Sequence, residues 1–302
     1  MTLAPRKPLP VRAASAVAVA VAQLARTALF VGRRRAVTGD AQVVVSLTSH
    51  GVRLRTVFLA IESIVGGTVR PRRLILWVDN EADRARALRS RPLRRLVARG
   101  LELRVGEPIG PHGKWWSFVQ SETSHDLPLV TADDDVRYGR DWLRPLVEAH
   151  EAAPDVIHCH RAHRIALTSD SRPAPYMSWP PCQSKEPSHG SFLTGVSGVI
   201  YPPAFLDALR RDGDGFRQCA PHADDVWLTA RAIANGVRVA QLADAPRLWY
   251  PIVGGQRSAL SRANGMDGGN DDQIAATLSP DLLDVVRHDV VRHDANRLDL
   301  RG

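Results

Sequence analysis

Three apolar runs rich in β-branched residues break off abruptly into short polar or acidic side chains: QVVVSLTS (42–49), RRLILWVDN (72–80) and DLPLVTADDD (126–135). Runs of this kind fit strands buried on both faces of a parallel sheet. Between them the apolar period changes. LRTVFLAIESIVGG (54–67) repeats at helical spacing through Val57, Ala60, Ile61 and Ile64 and stops at a glycine pair. The arginine-rich segment 84–100 reads as one helix, and LELRVG (101–106) as a third strand. PHGKWWSFVQSE (111–122) and the stretch carrying Trp142, Leu143, Leu146 and Val147 read as helices. DVIHCHRAHRI (155–165) reads as a strand, and HADDVWLTARAIANGVRVAQL (222–242) as a glycine-stopped helix followed by a strand. Strands alternating with helices predict an α/β fold, a mostly parallel sheet flanked by helices. Residues 166–200, rich in Pro, Ser and Gly, read as a long loop or lid.

The length of 302 residues is enough for one sizeable α/β domain or two small ones. A mean hydropathy of -0.19 excludes a multi-spanning membrane protein. Cys159, Cys182 and Cys219 are odd in number and far apart, which fits reduced thiols in a cytosolic setting rather than a disulfide framework. The net charge of +8 is unevenly placed. Residues 1–39 hold Arg6, Lys7, Arg12, Arg26, Arg33, Arg34 and Arg35 and no acid, so the remainder carries only +1. A near-neutral body argues against nucleic acid as a partner.

The basic arm 1–39 surrounds AASAVAVAVAQLARTALFVG, which Gln23 and Arg26 interrupt. A spanning helix needs about 20 apolar residues without a central charge. The expectation is therefore an arm that lies on an anionic membrane surface, the alternatives being a signal peptide or a disordered leader. The domain boundaries expected are an arm over 1–39, a main domain over 40–250 and a C-terminal tail over 251–302 that packs on or near the site.

In an open parallel sheet, ligands bind beyond the carboxyl ends of the strands. That rule gathers Thr48, Ser49, Asp79 and the triad Asp133, Asp134 and Asp135 on one rim. Adjacent carboxylates repel unless something compensates, and hard oxygen donors on a rim suit Mg2+ or Mn2+ together with substrate phosphates. The bland reading is an Asp-rich turn held by local hydrogen bonds. Asp224 and Asp225 open a helix, where one carboxylate serves as a cap and the other can face the cleft as a general base. His158 and His160 share a strand face that His163 does not, so a three-histidine metal site is not expected. His288 and His293, five residues apart, read as part of a solvated tail.

In order along the chain, VVVSLTSHGVRL, RRLILWVD, GPHGKWWSFV, LVTADDDVRYGRDWL, HRAHRI, FLTGVSGVIYPP and HADDVWLTARAIANGV resemble bacterial GT-A-fold glycosyltransferase-like proteins of the family 2 type, related to those that build capsular and other surface polysaccharides. The resemblance spans roughly residues 43–250. It implies a Rossmann-like GT-A domain that binds a nucleotide-sugar through a D-x-D motif and a divalent metal. Carried onto this sequence, it implies Asp135 and Asp133 at the metal and Asp133 or Asp134 toward the ribose. Thr48, Ser49, Asp79 and Lys114 fall on the nucleotide side, Gly195 and Trp179 on the acceptor side, and Asp225 or Asp224 at the base. The implied activity is transfer of a sugar, with inversion, to a glycan or lipid-linked acceptor on the inner face of the cell membrane. A Mg2+-dependent phosphoester hydrolase is the rival enzyme, and a membrane- or nucleic-acid-binding protein the non-catalytic alternative. The long segment 166–200 favours transfer over hydrolysis.

Overall fold

In a computed structural model, which describes residues 35–252 and 269–299 and their side chains as far as Asp289, β1 (Ala41–Thr48) lies within the central sheet. Its side chains divide between two apolar clusters, Val44 on one face and Val43, Val45 and Leu47 on the other. A strand apolar on both faces must be covered on both. β1 pairs in parallel with β2 (Pro71–Val78) on one side and β4 (Leu129–Thr131) on the other, and β3 (Glu102–Val105) extends the sheet beyond β2. Past β4 come β9 (Val199–Tyr201), β6 (Ile157–Cys159) and β10 (Val239–Gln241), giving the order β10-β6-β9-β4-β1-β2-β3. Strand β9 runs antiparallel to both its neighbours, and the other pairings in this sheet are parallel. The mostly parallel α/β sheet expected from the apolar runs is present.

One face is covered by α1 (Val57–Val65), α3 (Arg91–Val97) and α5 (Leu143–Ala152). The other takes α4 (Gly113–Ser121), α6 (Pro203–Asp212) and α8 (Asp224–Ala234), with α9 (Gly269–Thr277) and α10 (Pro280–Asp299) packing beside them. The described residues from 36 onward belong to one compact unit. No helix among the described residues is long and apolar enough to cross a membrane, and residues 1–34 of the expected arm lie outside them.

Three sequence expectations need correction. The arginine-rich segment is not one helix but two, α2 (Glu81–Arg89) and α3, with an extended Ser90 between them. Pro92 cannot donate to the carbonyl four residues earlier, so the helix restarts with proline in its first turn. Segment 155–165 is not one strand: β6 ends at Cys159, and β7 (Ala162–Arg164) pairs instead with β8 (Ser191–Leu193) in a separate two-stranded sheet. The segment 166–200 is not a lid over the site. Trp179, Cys182, Ser188 and Ser191 are buried against the body, and the Asp289 carboxylate ties down the N–H groups of His189 and Gly190.

Gly198, just before β9, has φ +102, and a Cβ there would stand 2.5 Å from Trp142 Nε1, whose N–H donates to Ser197 O at 2.8 Å. Gly198→Ala therefore combines a left-handed backbone with a steric clash, and it is expected to destabilise the fold by roughly 3 kcal/mol in urea unfolding.

Candidate functional site

β4 stops at Thr131, so the three aspartates occupy the turn before β5 (Val136–Arg137). The backbone fixes this turn. Asp133 N–H donates to Tyr138 Oη at 2.8 Å, and Ile252 N–H donates to Asp135 O at 2.7 Å, next to the pairing of β5 with β11 (Tyr250–Pro251). Each carboxylate then meets a cation. Lys114 Nζ donates to Asp133 Oδ1 at 2.9 Å. Arg53 grips both oxygens of Asp134, Nε at 2.9 Å and Nη2 on the other, and Nη2 lies 3.5 Å from Asp135. The charge of the triad is offset by two basic side chains from distant elements.

Lys114 is in the first turn of α4, and a glycine lets that turn approach β1: a Cβ on Gly113 would fall 2.9 Å from Thr48 Oγ1. Ser46 Oγ donates to the Lys114 carbonyl and itself accepts from Trp77 Nε1 at 3.0 Å. The lysine backbone is thus anchored to two central strands. Its ammonium also reaches within 3.0 Å of Asp224 Oδ2, close enough for an ion pair although misaligned for a hydrogen bond.

The reversal of β9 brings the turn that carries Gly195 to the same place. Val199 is opposite Thr131 in the register, so the 3-10 turn Gly195–Ser197, which precedes β9, lies at the carboxyl end of β4. Gly195 N–H donates to Asp225 Oδ1 at 2.8 Å. Helix α8 is capped by Ala223 without a side-chain bond, which corrects the capping role expected for one of its first two residues. Both carboxylates occupy the first turn, where the helix dipole favours negative charge. The approach to α8 is held by His112, a residue that sequence reasoning passed over. His112 is fully buried and stacked on Phe216, and its Nε2–H donates to Ala220 O at 2.7 Å while Nδ1 accepts from Trp115. Burial pushes its pKa down to about 4, which suits a neutral structural strut.

These parts enclose a cleft of about 410 Å³. Among the predicted residues, Thr48, Lys114, Asp133, Asp134, Asp135, Asp224 and Asp225 form its wall, with Gly195 directly behind Asp225. Ser49 is buried behind the rim, and Asp79 lies off the wall. Trp179 is elsewhere: it packs in the core against Tyr176 and Phe192 and donates to Ala174 O. Arg53 and the exposed His50 are additions that the sequence does not signal, and the exposed His222, close to Asp224 in sequence, also lines the wall. His158 and His160 are spent on backbone carbonyls of Ala153 and Trp142, so no histidine cluster forms.

The electrostatics are unbalanced. Five carboxylates face two cationic side chains across the cleft, a formal charge of −3. Burial and the neighbouring Asp224 push the Asp225 carboxyl up to about 7, against the opposing pull of Lys114 and of Gly195 N–H. Burial alone would lower the Lys114 pKa, but Asp133, Asp224 and Asp225 outweigh it and hold the ammonium well above the ordinary lysine range. Among the described residues, no group of three or more His, Cys, Asp or Glu converges as a metal cage. Asp133 and Asp135, two hard oxygen donors on one open wall, have the chemistry of a site that a divalent ion shares with substrate oxygens.

No protein-family model and no curated protein matches the chain. Among solved structures, a mannosyltransferase from Pyrobaculum calidifontis in complex with GDP-Man and Mn2+ is similar over 93% of this chain and 86% of its own length, at 14% identity and a TM-score of 0.48. So distant a likeness assigns no activity, and the functional reading rests on the site.

A methyl group on Gly195 would lie 2.9 Å from Asp225 Oδ1 and 3.2 Å from Lys114 Nζ. Gly195→Ala is expected to displace the Asp225 carboxylate from its N–H donor and raise its titration, as read by 13C NMR of the carboxyl carbon. An unmoved titration would show that the N–H contributes little.

Proposed function

We propose that the chain is a metal-dependent GT-A-type glycosyltransferase, moving a sugar from a nucleoside-diphosphate donor to a hydroxyl acceptor with inversion. One observation carries the reading: an acidic strand-end turn and an acidic helix start meet across a single cleft of formal charge −3. An anionic diphosphate would be repelled there, and a divalent cation reverses the sign of the interaction. Asp133 and Asp135 would hold Mn2+ or Mg2+, which when bound withdraws charge from the leaving diphosphate.

The chain's own residues do the rest. Thr48 offers the donor a wall at the end of β1, with Ser49 and Asp79 shaping the nucleotide side behind it. Asp225 takes the proton of the acceptor hydroxyl. An ordinary carboxylate is too weak a base at neutral pH, whereas a group near 7 is well matched to the task. Asp224 and Lys114 orient it, and Gly195 N–H supports the ionised form. Asp225 shares one cleft with the metal carboxylates, and a base separate from the metal would suit direct attack on the sugar, hence inversion.

The remaining parts of the proposal concern setting. The arm over 1–39 attaches the enzyme to the inner face of the cell membrane, residues 40–250 carry catalysis and residues 251–302 complete the site. Support for the last point comes from Asn270, which lines the cleft, and from Gln273, which accepts the His222 N–H. The acceptor is a growing glycan or a lipid-linked sugar of the cell surface.

A thermal-shift screen of nucleotide-sugars, with and without Mn2+, tests the assignment. A nucleoside diphosphate should stabilise the protein in a Mn2+-dependent manner, and Asp135→Ala should abolish that dependence. If no nucleotide shifts the melting temperature, the glycosyltransferase reading fails. In the wild type, kcat should rise with pH through an apparent value of about 7 set by Asp225. Deprotonation yields the base, so activity is gained on the alkaline side. Asp225→Asn should keep donor binding, lose that limb and reduce kcat by about a hundredfold or more.

A further inference from the structure

Arg53 is not a loose surface arginine. It lies in the short 3-10 turn Gly51–Arg55, whose first residue has φ +54 and donates its N–H to Asp83 Oδ2 at 3.1 Å. From this anchored turn the guanidinium enters the cleft, its side chain only 15% exposed. There it takes both oxygens of Asp134, and the same Nη2 stands 3.5 Å from Asp135. A guanidinium keeps its charge at any working pH, and its fork matches one carboxylate in a bidentate manner.

Two consequences follow for the metal site proposed above, on which this inference rests. The middle carboxylate has both oxygens engaged by Arg53, leaving Asp133 and Asp135 as the donor pair. A divalent cation arriving at Asp135 also meets Arg53 as a like charge and as a competitor. Lys114 stands in the same relation to Asp133. A metal entering alone therefore works against two fixed cations. A diphosphate entering with it supplies negative charge that both cations can meet.

We propose that Arg53 is a positioning residue that withholds Asp134 from the metal and, by contesting Asp135, makes metal binding depend on a bound nucleoside diphosphate. By linkage the dependence is reciprocal, so each ligand tightens the other by the same factor.

Mn2+ titrated into the full chain, followed by the loss of free-ion EPR signal, tests this directly. The titration is run alone and with saturating UDP or GDP. Wild type should bind Mn2+ on the order of tenfold more tightly with the nucleotide that it recognises. Arg53→Gln should raise affinity for Mn2+ alone and shrink that ratio, whereas Arg53→Lys, which keeps the charge, should not raise it. Asp134→Asn should weaken Mn2+ binding in the wild-type background, because Arg53 is then released onto Asp135, and should cancel part of the gain once Arg53 is Gln, because Asp134 can then reach the metal. The double variant thus reads whether Arg53 withholds Asp134. Should Arg53→Gln fail to fold, the Asp134→Asn and Arg53→Lys arms still decide. An unchanged or weakened Mn2+ affinity in folded Arg53→Gln, or tighter Mn2+ binding in Asp134→Asn, overturns the inference while leaving the metal site standing. Absence of Mn2+ binding in every variant with either nucleotide overturns both.

Discussion

A single buried ammonium holds the cleft together. Lys114 Nζ lies 2.9 Å from Asp133 and 3.0 Å from Asp224, so one charge joins the turn after β4 to the start of α8. Desolvating a cation is costly unless partners compensate, and here the partners need it as much as it needs them. Take the charge away and the carboxylates of the two walls face one another with nothing between. The residue type also matters. Lysine occurs only at positions 7, 114 and 185 among 40 basic residues. A compact ammonium fits beside Gly195, where a Cβ would already stand 3.2 Å from Nζ, and a planar guanidinium is much larger.

Much of this arrangement was legible in the linear sequence. Runs such as VVVSLTS and LILWVDN declare buried strands because both faces are apolar, and polar ends mark the rim. That logic found Thr48 and the aspartate triad, while Asp224 and Asp225 stood out as the acidic start of a helix.

What the sequence hid has equally physical reasons. Arg53 had no signal because arginine is common throughout this chain, and its partner lies 81 residues away. His112 gave no signal, since its role depends on a carbonyl 108 residues later. Trp179, expected on the acceptor side, is instead packed into the core by Tyr176 and Phe192. The strand over 155–165 was misread because its composition is uniform, whereas the departure of the chain after Cys159 is set by which sheet can accept it. For Arg53 and His112 the deciding partner is remote, and local periodicity carries no record of it.

The antiparallel strand β9 has an implication for how such a protein can change. Because β9 sits inside the sheet between β4 and β6, the turn that supports Asp225 is carried by interior pairing rather than by an outer loop. Gly195 and the aspartate turn are therefore carried by strands inside the sheet rather than at its edge. No residue of 166–190 lines the cleft, so exposed positions there, such as Thr168 and Met177, can vary while the site keeps its shape.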